Sequence, residues 1–235
     1  MDNSNTLVRL RIMAAAARRF AERKFTDVSM SEIARDLGVS RSVIRLHFTT
    51  KEELLTALLD SLLRDIEDIL MVFAKGFIVP AFERGAIEIK NDRIHFDSSQ
   101  RADAFRKQVI GHLESVFDYL LAHSHAYSVF FQESLAPGAR NGCFEKLLCL
   151  FIPNKRNPLL IKNPALPEIP LTPQMQASYM QTCVLPILSY ALFKDSLNQL
   201  SQHCVEAHKE QVLDDIRANL ARHSIGSDIY YLSKP

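Results

Sequence analysis

The chain has 235 residues, of which 47% are apolar and 23% are charged, and its formal net charge is +1. This length allows a sizeable buried core, with room for a small domain beside a larger one. The N-terminus lacks the pattern of a secretory signal, and no apolar run approaches the roughly 20 residues needed to cross a bilayer. These features argue against a membrane-spanning protein and predict a cytoplasmic one.

Basic residues are concentrated near the N-terminus. Residues 1–51 contain ten Lys or Arg against five Asp or Glu, a balance of +5, whereas the rest of the chain has 18 against 22, a balance of −4. Such asymmetry is typical either of a surface that faces nucleic acid or of an ordinary solvated helical surface.

The sequence contains no pattern for a metal site, a cofactor or catalysis. It has no Gly-rich phosphate loop, no G-x-S-x-G elbow and no H-E-x-x-H motif. The cysteines form no CxxC pair, and the histidine pairs lack the helical spacing that brings two rings together. We therefore predict no cofactor, no metal and no enzymatic activity, with the cysteines being either buried thiols or redox sensors. The residues concerned are Cys143, Cys149, Cys183, Cys204, His123, His125, His203 and His208.

The first predicted elements are two amphipathic helices. Apolar residues recur at helical spacing from Ile12 to Phe20, with arginines facing away, and this helix is expected to end near Lys24. Ser29 and Glu32 then form an S-x-x-E capping box, which predicts the start of a short second helix.

A third short helix follows after a tight turn. Gly38 provides a positive-φ exit from the second helix, and Ser40 can cap the next one. Val39, Ile44 and Phe48 are expected to point into the core. Two short helices joined in this way predict a helix-turn-helix.

A long helix is predicted from Lys51 to about Lys75, and a β-hairpin from Ala86 to Asp97. In the hairpin segment apolar and polar residues alternate around Asn91-Asp92. The alternative is an irregular loop, because a hairpin places like charges opposite each other. With a two-residue loop the predicted pairs are Ile87 with Phe96, Ile89 with Ile94, and Lys90 with Arg93.

The remainder of the chain is expected to be helical except for one proline-rich stretch. Two helices are predicted from Gln100 to about Ser134. From Pro153 to Pro173 the chain holds six of its ten prolines, which exclude continuous helix and predict an extended crossover. This crossover either covers a cavity mouth or is a passive connector. Two final helices are predicted, Pro173 to Lys194 with a kink at Pro186 and Ser196 to His223.

The stretch from Ile12 to Leu55 resembles the DNA-binding domain of the tetracycline-repressor (TetR) family. Four motifs carry the resemblance: FAER from Phe20, SMSEIA from Ser29, GVS from Gly38 and HFTTKEELL from His47. The chain departs from the family pattern at Lys24, where glycine is common, and at Arg45, where tyrosine is usual. Beyond about Leu63 the likeness is one of architecture only.

The resemblance implies an all-α fold and a regulatory function. It implies a three-helix helix-turn-helix domain over residues 1–52 and an effector-binding and dimerisation domain over residues 53–235, with the hairpin as an insertion. It further implies a homodimer through the last two helices, an inverted-repeat DNA operator, and usually a repressor that a small apolar or amphipathic effector releases.

The resemblance and the groove-binding geometry of such helices also imply the DNA contacts. The candidates for base contacts are Arg41, Ser42, Val43 and Arg45, and those for phosphate contacts or nearby support are Ser29, Ser31, His47, Thr50 and Lys51. Arg41 could instead be a solvated charge, Ser29 only a helix cap, and His47 only a packing residue.

Large apolar side chains with polar tips suggest where an effector binds. The candidates are His112, Phe117, Tyr127, Phe131, Met175 and Tyr179. Each could equally serve core packing. A second hypothesis for the whole chain is a DNA-bound adaptor resembling the nucleoid-occlusion members of this fold, which acts through a protein partner.

Overall fold

The computed structural model describes residues 3–85, 87–136, 138, 142–152, 154–164, 166, 171–201 and 205–226. Within them the protein is all-α with one small sheet, which confirms the predicted fold class. The first hairpin residue Ala86, much of the proline-rich stretch, His203 and Cys204 lie outside the described residues. None of the helices in the described part is long and apolar enough to span a membrane.

The helices and strands follow in chain order. They are α1 Asn3–Glu22, α2 Met30–Asp36, α3 Arg41–His47, α4 Lys51–Phe73, α5 Val79–Glu83, β1 Ile87–Lys90, β2 Arg93–Phe96, α6 Ser99–Ala122, α7 Ser124–Leu135, α8 Cys143–Leu150, α9 Pro158–Lys162, α10 Pro173–Tyr179, α11 Leu185–Ser201, α12 Val205–His223 and β3 Ser224–Gly226. The chain divides into two compact units, residues 1–65 with 123–144, and residues 66–122 with 145–235.

The first unit has a core of large side chains from its short helices. Phe20, Ile33, Ile44 and Phe48 are almost fully buried. The helix α7, which is distant in sequence, packs against α1 and completes this unit. Burial of these apolar surfaces is the main force that holds the three N-terminal helices together.

Local signals in the sequence set the ends of α2 and α3 as expected. The hydroxyl of Ser29 accepts from the backbone N–H of Glu32, and the Glu32 carboxylate accepts in return from the backbone N–H of Ser29. Ser40 caps α3 by accepting from the N–H of Val43. Gly38 has φ +65°, which a side chain would disfavour. The predicted capping box, cap and turn are confirmed, whereas Val39, which was expected in the core, is exposed.

The second unit contains the predicted hairpin. Ile87 pairs with Phe96 and Ile89 with Ile94, in the predicted register. Asn91 and Asp92 both have positive φ, as a two-residue turn of this hand requires.

A third strand, which the sequence did not predict, extends this sheet. The strand β3 pairs with β2 in parallel. The guanidinium of Arg106 in α6 donates to the carbonyl and the hydroxyl of Ser224, both at 3.0 Å, and so holds the first residue of β3.

Two short π-helical segments, Ala74–Ile78 and Met180–Val184, interrupt the helical runs of this unit. Each segment ends two residues before a proline, Pro80 or Pro186. A proline has no N–H and crowds the carbonyl four residues earlier, so a wider turn before it relieves both defects. A π-helical segment thus precedes Pro186, where the sequence predicted a kink.

Two other expectations are corrected. The helix α11 continues through Lys194 to Ser201, so no break lies near Lys194. The proline-rich stretch is not extended throughout, since it contains α9, which begins at Pro158. Proline suits the first turn of a helix because it lacks an N–H that would have no partner there, and Asn157 caps the helix by accepting from the N–H of Leu159.

Candidate functional site

The helix α3 presents an exposed face in the first unit. Arg41, Ser42 and Arg45 are exposed, whereas Ile44 on the opposite side is fully buried. Leu46 belongs to the same outer face and is 84% exposed. Sequence reasoning missed Leu46, although its position beside Arg45 and two residues after Ile44 places it on that face. Two arginines, a serine and an exposed leucine form a surface suited to contact base edges.

The end of α3 is fixed by a residue that sequence reasoning also missed. Arg9 of α1 donates from Nη1 to the backbone carbonyl of His47 at 2.9 Å. Its guanidinium lies 4.1 Å from the centre of the Phe48 ring, at cation–π distance. Arg9 therefore satisfies a carbonyl at the C-terminus of α3, where a positive charge also suits the helix dipole.

The ammonium group of Lys51 is engaged within the protein. Its Nζ donates to the carbonyls of Phe25 at 2.6 Å and Val28 at 2.8 Å, and lies 4.3 Å from the Phe25 ring centre. Thr50 caps α4 by accepting from the N–H of Glu53 at 3.0 Å. This arrangement joins the start of α4 to the segment before α2 and leaves the ammonium group little freedom to reach a phosphate.

Ser29 is likewise committed to local structure. Its hydroxyl donates to the Glu32 carboxylate at 2.9 Å, which also accepts from Arg23 at 2.8 Å. Hydrogen bonds from Ser29 and Arg23 lower the pKa of Glu32 to about 2. Ser31 next to it is exposed, and Val43 and His47 are half-buried.

An apolar cavity of about 210 Å³ lies within the second unit. Its wall comes from the end of α4, both strands of the hairpin, α6, α9, α10 and α12, and includes Leu70, Phe73, Ile89, Val109, Leu159 and Leu220. Both the first π-helical segment and the residues just before the second one border it. None of the described residues that line it is charged.

Three of the six predicted effector contacts line this cavity: His112, Met175 and Tyr179. Phe117 does not line it, since it is fully buried and packs perpendicular to Tyr190 with ring centres 5.5 Å apart.

The two remaining candidates, Tyr127 and Phe131, lie in α7 and belong to the first unit. Tyr127 is fully buried, and Phe131 packs edge-on against Phe144 with ring centres 5.3 Å apart. The structure therefore brings together only the three candidates from α6 and α10.

His112 is the most unusual polar group of the cavity. It is 9% exposed, and its ring stacks on Phe73 with centres 4.4 Å apart. Burial lowers the pKa of His112 to about 4, so the ring is neutral at pH 7. Its Nε2 is buried and has no hydrogen-bond partner among the described residues.

Three other polar side chains of the cavity wall, Asn219, Ser178 and His223, bond to one another in series. Nδ2 of Asn219 donates to Oγ of Ser178 at 3.2 Å, and Ser178 Oγ lies 3.2 Å from Nε2 of His223. Nδ1 of His223 is 3.4 Å from the backbone carbonyl of Asp92. Because a carbonyl only accepts, Nδ1 of His223 is the donor in this contact.

The first unit is thus a helix-turn-helix whose second short helix is rigidly held and exposed on its outer face. Residues 12–58 match the family model described as bacterial regulatory proteins, tetR family. These residues are therefore similar to the DNA-binding domain of that family, which confirms the resemblance drawn from the motifs.

One solved structure shares the fold at low sequence identity, and a second is reported with it. A tetR-family transcriptional regulator from Streptomyces coelicolor is 17% identical with a TM-score of 0.52, over 95% of this chain and 83% of that chain. A protein from Shewanella sp. PV-4 assigned to the same family is 16% identical with a TM-score of 0.43, over 88% of this chain and 96% of that one. No curated protein matches the chain.

Proposed function

We propose that the protein is a homodimeric repressor that binds an inverted-repeat DNA operator and is released by a small apolar or amphipathic effector. The exposed outer face of α3 is the observation that carries the DNA-binding part. Residues 1–52 serve as the DNA-binding domain in this proposal, and residues 53–235 as the effector-binding and dimerisation domain.

Arg41, Ser42, Val43 and Arg45 are the proposed base-reading residues. A guanidinium can donate two hydrogen bonds to guanine O6 and N7, and apolar side chains can contact a thymine methyl group. Arg45 in place of tyrosine adds a cation with longer reach. It can therefore bind either a guanine edge or a phosphate.

Phosphate contacts are proposed for Ser29, Ser31, His47, Thr50 and Lys51. The engagement of the Lys51 ammonium and the Ser29 hydroxyl favours a contact through backbone N–H groups at the starts of α4 and α2. The N-terminus of a helix attracts an anionic oxygen through its free N–H groups and its dipole.

Dimerisation is proposed through the outer faces of α11 and α12. In α11 the exposed positions include Leu185, at 40%, and Phe193, at 52%. In α12 the positions Ala207, Gln211, Asp214, Ala218 and Ala221 are exposed and follow the four-three spacing of a helix-packing seam. Three of these five positions are alanines, whose small side chains allow two helix pairs to approach closely as a four-helix bundle.

The cavity is proposed as the effector site. Leu70 and Phe73 in its wall belong to α4, the helix that begins at Lys51 directly after the helix-turn-helix. A ligand that binds more tightly to one position of this helix shifts the population toward that position. By linkage, operator DNA must weaken the ligand by the same factor.

Selection of random duplex DNA by the purified chain tests this proposal. We expect an enriched palindrome with two half-sites about one helical turn apart, and an affinity that falls steeply with salt. If the selection enriches no sequence, the proposal of an operator-binding repressor is wrong. Scattered non-palindromic sites with no ligand response would favour the adaptor hypothesis.

A further inference from the structure

A buried polar atom in the cavity of the second unit, Nε2 of His112, has no hydrogen-bond partner among the described residues. Among its polar side chains, Asn157 donates to two backbone carbonyls, and Ser178, Asn219 and His223 bond in series. His112 borders the same cavity, and its Nε2 has no partner within the described part of the chain. The chemistry of the site therefore depends on what His112 can bind.

A buried polar atom without a partner is costly, and native proteins pair nearly all such atoms with protein, water or ligand. An apolar ring at this position would stack on Phe73 as well and would avoid that cost. Water is a poor partner because a buried water needs two to four polar neighbours. Most of the wall around His112 is apolar. These facts point to a group supplied by a ligand.

The wall also restricts the charge of a ligand. None of the described residues that line the cavity is Asp, Glu, Lys or Arg. An ionised group would lose its hydration without gaining a counter-charge. Tyr179 adds a second uncharged polar group, since burial raises the pKa of its hydroxyl and keeps it protonated.

We propose that the cavity binds an uncharged, mainly apolar molecule with one hydroxyl or carbonyl group, which hydrogen-bonds Nε2 of His112. This inference rests on the effector site of the proposed function. A neutral imidazole presents one N–H and one lone pair, so its tautomer can match a donor or an acceptor. The volume of about 210 Å³ is below the about 300–1,000 Å³ of typical drug-sized sites, so the molecule is small.

Two sets of probes on the full chain without DNA test the charge and the polar group. They are 1-decanol, decanoate and decylammonium, and 2-naphthol, 2-methylnaphthalene and 2-naphthoate, with binding measured by calorimetry. We expect the hydroxyl compound of at least one set to bind at least tenfold more tightly than its ionised counterparts. We also expect 2-naphthol to bind about tenfold more tightly than 2-methylnaphthalene, equivalent to about 1.4 kcal/mol.

The variant His112→Phe tests the assigned partner. It keeps an aromatic ring against Phe73 and removes both nitrogens, so we expect an unchanged or higher melting temperature and loss of the preference for hydroxyl over methyl. Ile161→Ala, at an exposed residue that does not line the cavity, should keep that preference.

Three results would overturn the inference: equal binding of an ionised probe, a hydroxyl preference that survives in His112→Phe, or no binding by any neutral probe. Because DNA is absent from these measurements, failure of the operator selection leaves them interpretable. A separate experiment adds the bound probe to a protein–operator complex and measures release of the protein from DNA. Unchanged DNA affinity would contradict the proposed regulation and would leave the inference about the cavity intact.

Discussion

Arg41 is the first residue of α3, and it is exposed on the outer face of that helix. We expect Arg41→Ala to weaken operator binding by about 1 to 3 kcal/mol, or about five- to 150-fold, and to relax the base preference at one position. Titration of labelled operator measures the affinity, and repeated DNA selection measures the preference. Lys107→Ala removes one exposed positive charge from α6 and serves as the control. Equal losses in the two variants would show only a general charge effect.

Lys51 is a case in which the structure and the family resemblance suggest different roles. Its Nζ donates to the carbonyls of Phe25 and Val28. We therefore expect Lys51→Met to lower the free energy of unfolding by about 1.5 to 3 kcal/mol, because a charged hydrogen-bond donor is lost. We expect the slope of log affinity against log salt to stay unchanged. Thermal unfolding and a salt titration of DNA binding measure the two effects. If the slope of log affinity against log salt falls by about one in the variant, the Lys51 ammonium contacts a phosphate instead.

The carboxylate of Glu32 belongs to the capping box of α2, and its ionisation makes the stability of the protein depend on pH. Its pKa is lowered from 4.5 to about 2 by Ser29 and Arg23. A lowered folded-state pKa stabilises the protein at pH values above the unfolded pKa, and this stabilisation is lost as the pH falls toward about 2. We expect Glu32→Gln to melt at a lower temperature than the parent at pH 7, and the two curves to converge with acid. Glu83→Gln, at another exposed glutamate, is the control, and a pH-independent difference would contradict this account.

Elements with strong local signals could be predicted from the sequence, whereas those set by distant contacts could not. Asn91-Asp92 between alternating residues was enough to predict the hairpin and its register, because the turn itself fixes the pairing. The strand β3 has only three residues and depends on Arg106, which is 118 positions away. The helix α9 starts at a proline that also reads as a breaker, and only its place after an Asn cap makes it a helix start.

The candidate site also has some features that local sequence signals predict and others that depend on distant contacts. The face of α3 follows from helical periodicity, so Arg41, Ser42 and Arg45 are exposed as expected. Which residues line the cavity depends on which buried helix faces meet. Helical periodicity predicts that a side chain is buried but not whether it lines the cavity. For this reason Phe117 and Tyr127, which have the same apolar pattern as His112, lie away from the cavity. The contact from Arg9 to the end of α3 had no local signal.

At the scale of the whole molecule, the exposed apolar positions on α11 bear on assembly. We expect Phe193→Glu to convert a dimer to a monomer and to reduce binding of a palindromic operator at least tenfold, since only one half-site is then held at a time. Analytical ultracentrifugation and operator titration measure the two effects. Ile161→Glu changes another exposed apolar residue, 65% exposed in α9, and should leave both unchanged. A variant at Phe193 that remains dimeric would move the interface elsewhere.

The packing of α7 against α1 affects how the protein is made. The first unit draws on residues 1–65 and again on 123–144, so a ribosome must add 79 more residues after Asp65 before the unit is complete. At about 5 to 20 residues per second this delay is about 4 to 16 seconds. During that interval the face of α1 that packs against α7 is not yet covered, and it stays accessible to chaperones that bind nascent chains. In a truncated chain that ends at Asp65, the face of α1 that packs against α7 would stay exposed.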